Sequence, residues 1–510
     1  MIKTFSQAVK FLERYIPTPE KKHPGELGLR RMEYLMNLLG NPQLKYPTIH
    51  VGGTSGKGST ATIIASILAT KYKVGLHTSP HLVKITERIK IFGQDDPGSF
   101  LREFDPGSDI SEDEFIGLVN YIKPFVDKVE KSNLGLPSYF EIVTAMAFLY
   151  FYQQKVDIAV IEVGMGGRFD ATNVIRPEVA VLTNVGLDHT EILGDTIEKI
   201  AEDKAGIIKP GILVVSGVKQ TSVIQIIREK CKEESAKLSL LIPSPSGSAR
   251  QFLHHPRSPS ATSEVFPWLA FSYRIKQIDS NGSVFDYKGI KSLKNLKLKL
   301  LGEHQVENAA LAIRAVELLS SRPSEARGGI SRKCELKQVE RFFTAFRMTA
   351  SDIRRGLNSA YIPGRLEIIG RNPLVILDGA HNPDKVKALA DSVKKIFPKK
   401  RITTIIAIKN DKDAKEMLTQ LLEVSYKVIF TKFELTADIG IITSYDPNKL
   451  LGIGRTIAKD KSMSVTADAK KAVDQAIKSA KSSDLILVTG SLYLVGEIKK
   501  NFKFQNPNFK

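Results

Sequence analysis

The run Gly52-Gly53-Thr54-Ser55-Gly56-Lys57-Gly58-Ser59 is the densest concentration of chemistry in the chain. Backbone N–H groups in a glycine-rich turn of this kind point at a phosphate, and a following helix adds its positive end. Lys57 supplies a cation for the outer phosphates, and Ser59 a hydroxyl for Mg²⁺. The run departs from the common spacing of phosphate loops. Val51 stands six residues before Lys57, where glycine is usual, and Gly58 separates Lys57 from Ser59. The bland alternative is a glycine turn that only lets a helix pack on a strand. Lys57 and the strand–loop–helix context argue against it. Such a loop implies a nucleotide and leaves the reaction open, because switch GTPases, motors and ligases all use one.

Other candidates follow apolar runs. Glu162 lies near the end of Ile158 to Val163, ahead of Gly164-Met165-Gly166-Gly167-Arg168-Phe169-Asp170. A carboxylate at the C-terminal end of a parallel strand faces the crevice where open α/β sheets bind ligands. Glu162 is therefore a candidate Mg²⁺ ligand, the alternative being a strand-end charge in solvent. Asp188 and His189 follow a second apolar run and suit a metal or phosphate role at the same edge, where Ser79 adds a hydroxyl. Lys204, in Glu202-Asp203-Lys204-Ala205-Gly206, reads from composition as a solvated helix lysine. In the second half, Arg365 offers a fork that matches phosphate oxygens. Asp378 can accept hydrogen bonds from a ribose, and His381 can approach a phosphate or a second substrate. Two nucleotide-handling sets predict a cleft between domains that closes on its ligands.

The elements that must position these residues alternate in type. Residues 1–47 read as polar helix. Pro47 to Val51 is a short strand entering the loop, Thr60 to Thr70 a helix, and Val74 to His77 a strand. Ile85 to Gly93 reads as a further strand, 94–112 as loop, and Tyr139 to Tyr152 as helix. Val156 to Val163, Val179 to Thr183 and Leu213 to Ser216 read as buried parallel strands. Residues 242–265 form a Ser/Pro-rich stretch that reads as a mobile surface insertion. Lys291 to Leu301 reads as an edge strand and Glu307 to Leu319 as a helix. Residues 321–350 read as a polar, basic insertion. Strand candidates resume at Val375 to Leu377, Thr403 to Ile408, Lys427 to Phe430 and Leu485 to Val488. The expected class is α/β, with an N-terminal phosphate-loop ATPase domain on a parallel sheet (1–300) and a smaller Rossmann-like C-terminal α/β domain (301–510).

Composition narrows the class. With 510 residues, 42% hydrophobic and 25% charged, the chain suits two or three globular domains that need no disulfides. Its two cysteines, Cys231 and Cys334, sit in no Cys/His cluster, which argues against a zinc site and fits a reducing, cytoplasmic setting. There is no signal-peptide pattern and no apolar run of about eighteen residues, so no membrane partner is expected. The net charge of +19 invites a nucleic-acid reading, such as a nucleic-acid-associated NTPase. The lysines are spread along the chain without a dense basic tract, and no nucleic acid is expected as partner.

Taken together, the motifs resemble those of the folylpolyglutamate synthase/dihydrofolate synthase branch of the Mur ligase family. The matching segments run in the family's order. They are Gly53 to Ser59, Thr78-Ser79-Pro80-His81-Leu82-Val83, Thr86-Glu87-Arg88-Ile89, Tyr139-Phe140-Glu141 and Glu162 to Asn173. They continue with Asp188-His189-Thr190, Lys204-Ala205-Gly206-Ile207, Gln305 to Ala310, Pro363-Gly364-Arg365 and Asp378 to Pro383. The resemblance implies ATP-dependent addition of L-glutamate to a folate or pteroate carboxylate through an acyl phosphate. It implies ATP and Mg²⁺ as cofactors, a monomer, and use of both acceptors. Another Mur-type amino-acid ligase is the alternative, with Ser79-Pro80-His81 and Tyr139-Phe140-Glu141 against it. By the same resemblance, Thr54, Ser55, Gly56, Lys57, Gly58, Ser59, Thr60, Asn308, Arg365 and Asp378 contact ATP. Ser59, Ser79, Glu162, His189 and Lys204 (as a carbamate) hold metal. Lys57, His189, Lys204 and His381 are the catalytic set. Phe140, Glu141, Phe169 and Asp170 lie near the pterin or its glutamate, with His381 and Ser491 near the incoming glutamate.

Overall fold

The protein is described from a computed structural model, which covers residues 1–17, 25–93, 107–242, 270–321, 346–437 and 440–501. Four strands form the centre of the larger sheet: Val74–His77, Ile158–Glu162, Thr48–Gly52 and Val179–Leu182, side by side in that order and all parallel. Every residue in them is buried. That is the signature of a parallel sheet covered on both faces, and it explains their unbroken apolar runs. Leu213–Ser216, Lys237–Leu241 and Ala270–Asp279 extend the sheet in parallel on one side. Gly282–Lys288 and Ser292–Leu298 finish that side in antiparallel fashion. On the other side Ile89–Phe92 and Ser108–Asp109 are antiparallel, giving eleven strands in all among the described residues.

Register decides where the chemistry gathers. Val51 lies opposite Glu162, Gly52 opposite Leu182, and His77 opposite Ile161. The C-terminal ends of these strands therefore share one edge. The Thr48–Gly52 strand has Ile158–Glu162 on one side and Val179–Leu182 on the other, so connections leave it in both directions. A crevice opens where connections diverge in this way.

The helix after the loop runs Lys57–Leu68, starting three residues earlier than the apolar pattern predicts. Helices Glu303–Ser320 and Ala350–Ser359 pack against it. The second contact is intimate: Ser66 Oγ donates to the Gly356 carbonyl at 2.8 Å, and a Cβ on Gly356 would lie 2.3 Å from Ile67 Cα. Residues Val306 to Leu319 and Phe346 to Ala360 thus belong to the core of the larger sheet. The smaller sheet begins at Glu367. By this packing we place the division between the two units near residue 360 rather than near 300.

The smaller sheet has the order Glu367–Arg371, Leu374–Leu377, Leu485–Thr489, Ile402–Ile406, Lys427–Phe430, Ser462–Val465. Only the first pair is antiparallel. Two sequence expectations change. Ile85–Arg88 is a 3-10 turn and only Ile89–Phe92 is strand. The expected loop over 94–112 includes the short strand Ser108–Asp109 and the start of an unforeseen helix, Glu112–Glu130, whose capping box is built by Ser111 and Glu114. The two expected insertions fall almost wholly outside the described residues. Among the described residues no helix is long and apolar enough to cross a membrane.

Candidate active site

Both sheets face a cleft of about 1050 Å³. Its wall includes Thr54 to Ser59, Ser79, Phe140, Glu141, Glu162, Phe169, Asp170 and His189 from the first unit. Arg365, Asp378, His381 and Ser491 come from the second, and Asn308 from the helix Glu303–Ser320 of the first. Thr60 and Lys204 are absent from the wall. Thr60 is fully buried, and its hydroxyl donates to Asn308 Oδ1 at 3.4 Å.

The phosphate loop is braced by the segment after Val179–Leu182. Thr54 N–H donates to the Asn184 carbonyl at 3.0 Å and Ser55 N–H to Asn184 Oδ1 at 2.8 Å. Thr183 Oγ1 donates to the Ser55 carbonyl at 2.7 Å. Gly53 has φ +137°, and a Cβ there would sit 2.0 Å from Thr183 Oγ1, so only glycine fits. Thr183 and Asn184 shape the loop, a role not visible in the sequence because it depends on strand order.

Lys57 Nζ and Lys204 Nζ both donate to the Gly53 carbonyl, at 3.1 and 3.3 Å. Lys204 is buried, contrary to the solvated lysine that composition suggests. Burial, then the charge of Lys57, lowers its ammonium to about 7. Two cations on one carbonyl leave the loop short of negative charge, which a polyphosphate supplies. Glu162 lies beside them, and its Oε2 accepts the Ser79 N–H at 2.9 Å. Burial raises its carboxyl above the usual range, with Lys57 pulling the other way. His189 is in the left-handed region at φ 52° and is exposed on the cleft wall.

Among the described residues no group of three or more His, Cys, Asp or Glu side chains converges as a metal cage. The expected metal set contains only two such residues, Glu162 and His189, with the hydroxyls of Ser59 and Ser79 and, as a carbamate, Lys204. That sparse, mainly oxygen set fits Mg²⁺, which keeps waters and leans on substrate phosphates.

Several expected contact residues are already engaged. Glu141 forms a buried, two-pronged pair with Arg31, at 2.8 and 3.0 Å, which the sequence reading missed. Asp170 accepts N–H groups from Met165 at 2.9 Å and Thr172 at 3.0 Å. Asp378 accepts those of Leu366 at 2.9 Å and Ala380 at 2.8 Å, and burial raises its carboxyl. Ser491 Oγ accepts the Tyr493 N–H at 3.1 Å. These groups fix loop shapes around the cleft and retain second lone pairs for a ligand. Phe140 and Phe169 give the cleft apolar surface. Across the cleft, Asp188 faces Lys412 of the second unit at 3.8 Å.

The sequence relationships agree with this geometry. Residues 112–316 match the model of the Mur ligase middle domain, and residues 365–501 match that of the dihydrofolate synthetase C-terminal domain. The dihydrofolate synthase/folylpolyglutamate synthase of Bacillus subtilis is 34% identical over 480 residues, covering 93% of this chain and 95% of its own. The chain belongs to the folylpolyglutamate synthase/dihydrofolate synthase family. The Mycobacterium tuberculosis folylpolyglutamate synthase complexed with ADP superposes with a TM-score of 0.76 at 28% identity, covering 98% of both chains. A folylpolyglutamate synthase complex with AMPPCP and folate superposes with a TM-score of 0.72 at 27% identity, covering 98% of this chain and all of that one. Membership of this family makes the chain an ATP-dependent ligase of folate metabolism and confirms the α/β, two-sheet architecture. The second family model starts at Arg365, just before the smaller sheet.

Proposed function

We propose that this ligase adds L-glutamate both to dihydropteroate and to tetrahydrofolate or its polyglutamates. One observation carries the reading: the phosphate loop with Glu162, and Arg365 with Asp378 and His381, line a single cleft although they belong to different sheets. The acceptor carboxylate takes the outer phosphoryl group of ATP, and the glutamate amine then displaces phosphate from the resulting acyl phosphate. Backbone N–H groups of Gly56 to Ser59 hold the phosphates, and Lys57 and Arg365 balance the charge of the moving phosphoryl group. Ser59, Ser79, Glu162 and His189 would hold Mg²⁺, which when bound neutralises phosphate charge. A lysine lowered to about 7 carries a substantial share of free amine. Lys204 is therefore suited to add CO₂, losing a proton and becoming a carbamate anion that can hold a second metal ion. Phe140 and Phe169 suit an aromatic pterin. The two units, closing on the cleft, exclude water from the acyl phosphate.

Purified protein with ATP, Mg²⁺ and L-glutamate is expected to release ADP and phosphate with either acceptor. Turnover with one acceptor alone reduces the enzyme to a single activity, and turnover with neither overturns the reading.

A further inference from the structure

The second unit contains a contact that the reaction outlined above does not use. His381 Nδ1 lies 2.7 Å from the Gly379 carbonyl, and Lys385 Nζ lies 3.0 Å from His381 Nε2. A carbonyl only accepts, so Nδ1 carries the proton. An ammonium only donates, so Nε2 presents its lone pair. We propose that Lys385 is a positioning residue of this ligase, holding His381 as the neutral Nδ1–H form with Nε2 as an acceptor in the cleft.

Lys385 is an odd choice for its place. It stands in the first turn of the helix Pro383–Ile396, where Asn382 Oδ1 caps its own N–H at 2.9 Å. A cation there opposes the helix dipole. The charges that face it are Lys57, Arg365 and Lys412, with Asp188 as the opposing acid. Lys57 and Asp188 belong to the first unit, the others to the second. This crowding, added to burial, brings the Lys385 ammonium down to about 7. Those facing His381 are Lys385, Arg365 and Asp188, and burial followed by Lys385 holds the ring well below its ordinary range. A surface lysine would avoid all of this by turning outward.

The role rests on the folate-ligase reading, because it concerns the incoming amino acid. The Nε2 lone pair, engaged by Lys385 in the free enzyme, can accept a hydrogen bond from the amino group of glutamate once that group takes the place of the Lys385 ammonium. An imidazolium there could only donate, and it would repel a substrate that arrives as an ammonium. Lys385 thus holds the ring as a neutral, oriented acceptor until the substrate amine displaces it.

The test uses the full-length protein labelled with ¹⁵N-histidine, titrated from pH 5.5 to 8 without substrate. Native His381 is expected to show the Nδ1–H form and no titration across this range. Lys385→Met should raise the His381 titration toward this range, with burial still holding it down, and Lys385→Arg should leave it where it is. In turnover, Lys385→Met should gain an acid limb, with kcat/KM for glutamate falling at least about tenfold from pH 8 to pH 6 and KM for ATP steady. Lys385→Arg should follow the native profile. A native His381 that titrates near its ordinary value, or equal profiles for the two variants, overturns the proposal. The resonance arm needs no substrate. If neither folate acceptor supports turnover, it still judges the contact apart from the reaction.

Discussion

Replacing Gly58 by alanine should separate catalysis from stability. Gly58 is the second residue of the Lys57–Leu68 helix and lies outside the left-handed region, so alanine accepts its backbone. The added Cβ would stand 3.2 Å from Glu162 Oε2, 3.3 Å from Oε1 and 3.5 Å from Cδ. Ordinary contact begins near 3.4 Å, so helix or carboxylate must move by a few tenths of an ångström. Glu162 is buried and tied to the Ser79 N–H at 2.9 Å, which leaves that small shift to act on the loop, the carboxylate or both. Alanine improves helix propensity by up to about 1 kcal/mol, or roughly 2–4 °C in Tm for a domain of this size. Displacement of about 1 Å costs about 10²-fold in rate, so a smaller shift should lower kcat roughly ten- to a hundredfold. Differential scanning fluorimetry and ADP release read the two effects. A variant with kcat within about twofold of native would show that Glu162 and the loop need no such registration. Parallel loss of Tm and kcat would show simple mispacking.

Lys204→Ala should lower turnover by about 10²–10³ and recover part of it with acetate or another short carboxylate, as a replaced carbamate would. Full activity without rescue would remove Lys204 from the metal site. Arg31→Met leaves the Glu141 carboxylate buried and unpaired, and should cost about 3–5 kcal/mol in denaturant melts. Adding Glu141→Gln should restore most of that loss, and a failure to do so would mean that packing rather than charge dominates. Acid stability offers a fourth check. Burial, then Lys209, lowers His50 to about 3, so the folded protein resists protonating it while the unfolded chain does not. Its contribution is complete above the ordinary 6.5 and is lost as pH falls toward 3, at up to about 1.4 kcal/mol per pH unit. His50→Asn should flatten the fall of Tm below pH 6.5, and an unchanged slope would assign the acid sensitivity elsewhere.

What the sequence made legible is local in the chain. The phosphate loop, its strand and its helix are consecutive, so their types and order could be read directly. The buried parallel strands announce themselves by apolar runs, and Glu162 by its place at the end of one. The missed interactions join residues far apart. Arg31 meets Glu141 across 110 positions and Asn184 meets Ser55 across 129, through a strand order that no local pattern encodes. The hairpin strands Ala270–Asp279 and Gly282–Lys288 escaped for a related reason: their partly exposed residues look like loop until a neighbour pairs with them, whereas the expected edge strand over Lys291 to Leu301 is present as Ser292–Leu298.

Lysine was the residue type least faithfully read, and this has a physical basis. A lysine on a helix looks the same in sequence whether its ammonium meets solvent or a buried carbonyl, because its four-carbon stem reaches either way. Lys204 and Lys385 both occupy such positions, and both are brought to about 7 by burial reinforced by Lys57. One meets the phosphate loop at the Gly53 carbonyl in the first unit, and the other meets His381 within the second. Lysines thus crowd the surroundings of the cleft in both units, and their mutual proximity disfavours the charged form of each. A polyanion in the cleft favours the charged form of lysines in both units at once, so its binding draws on both.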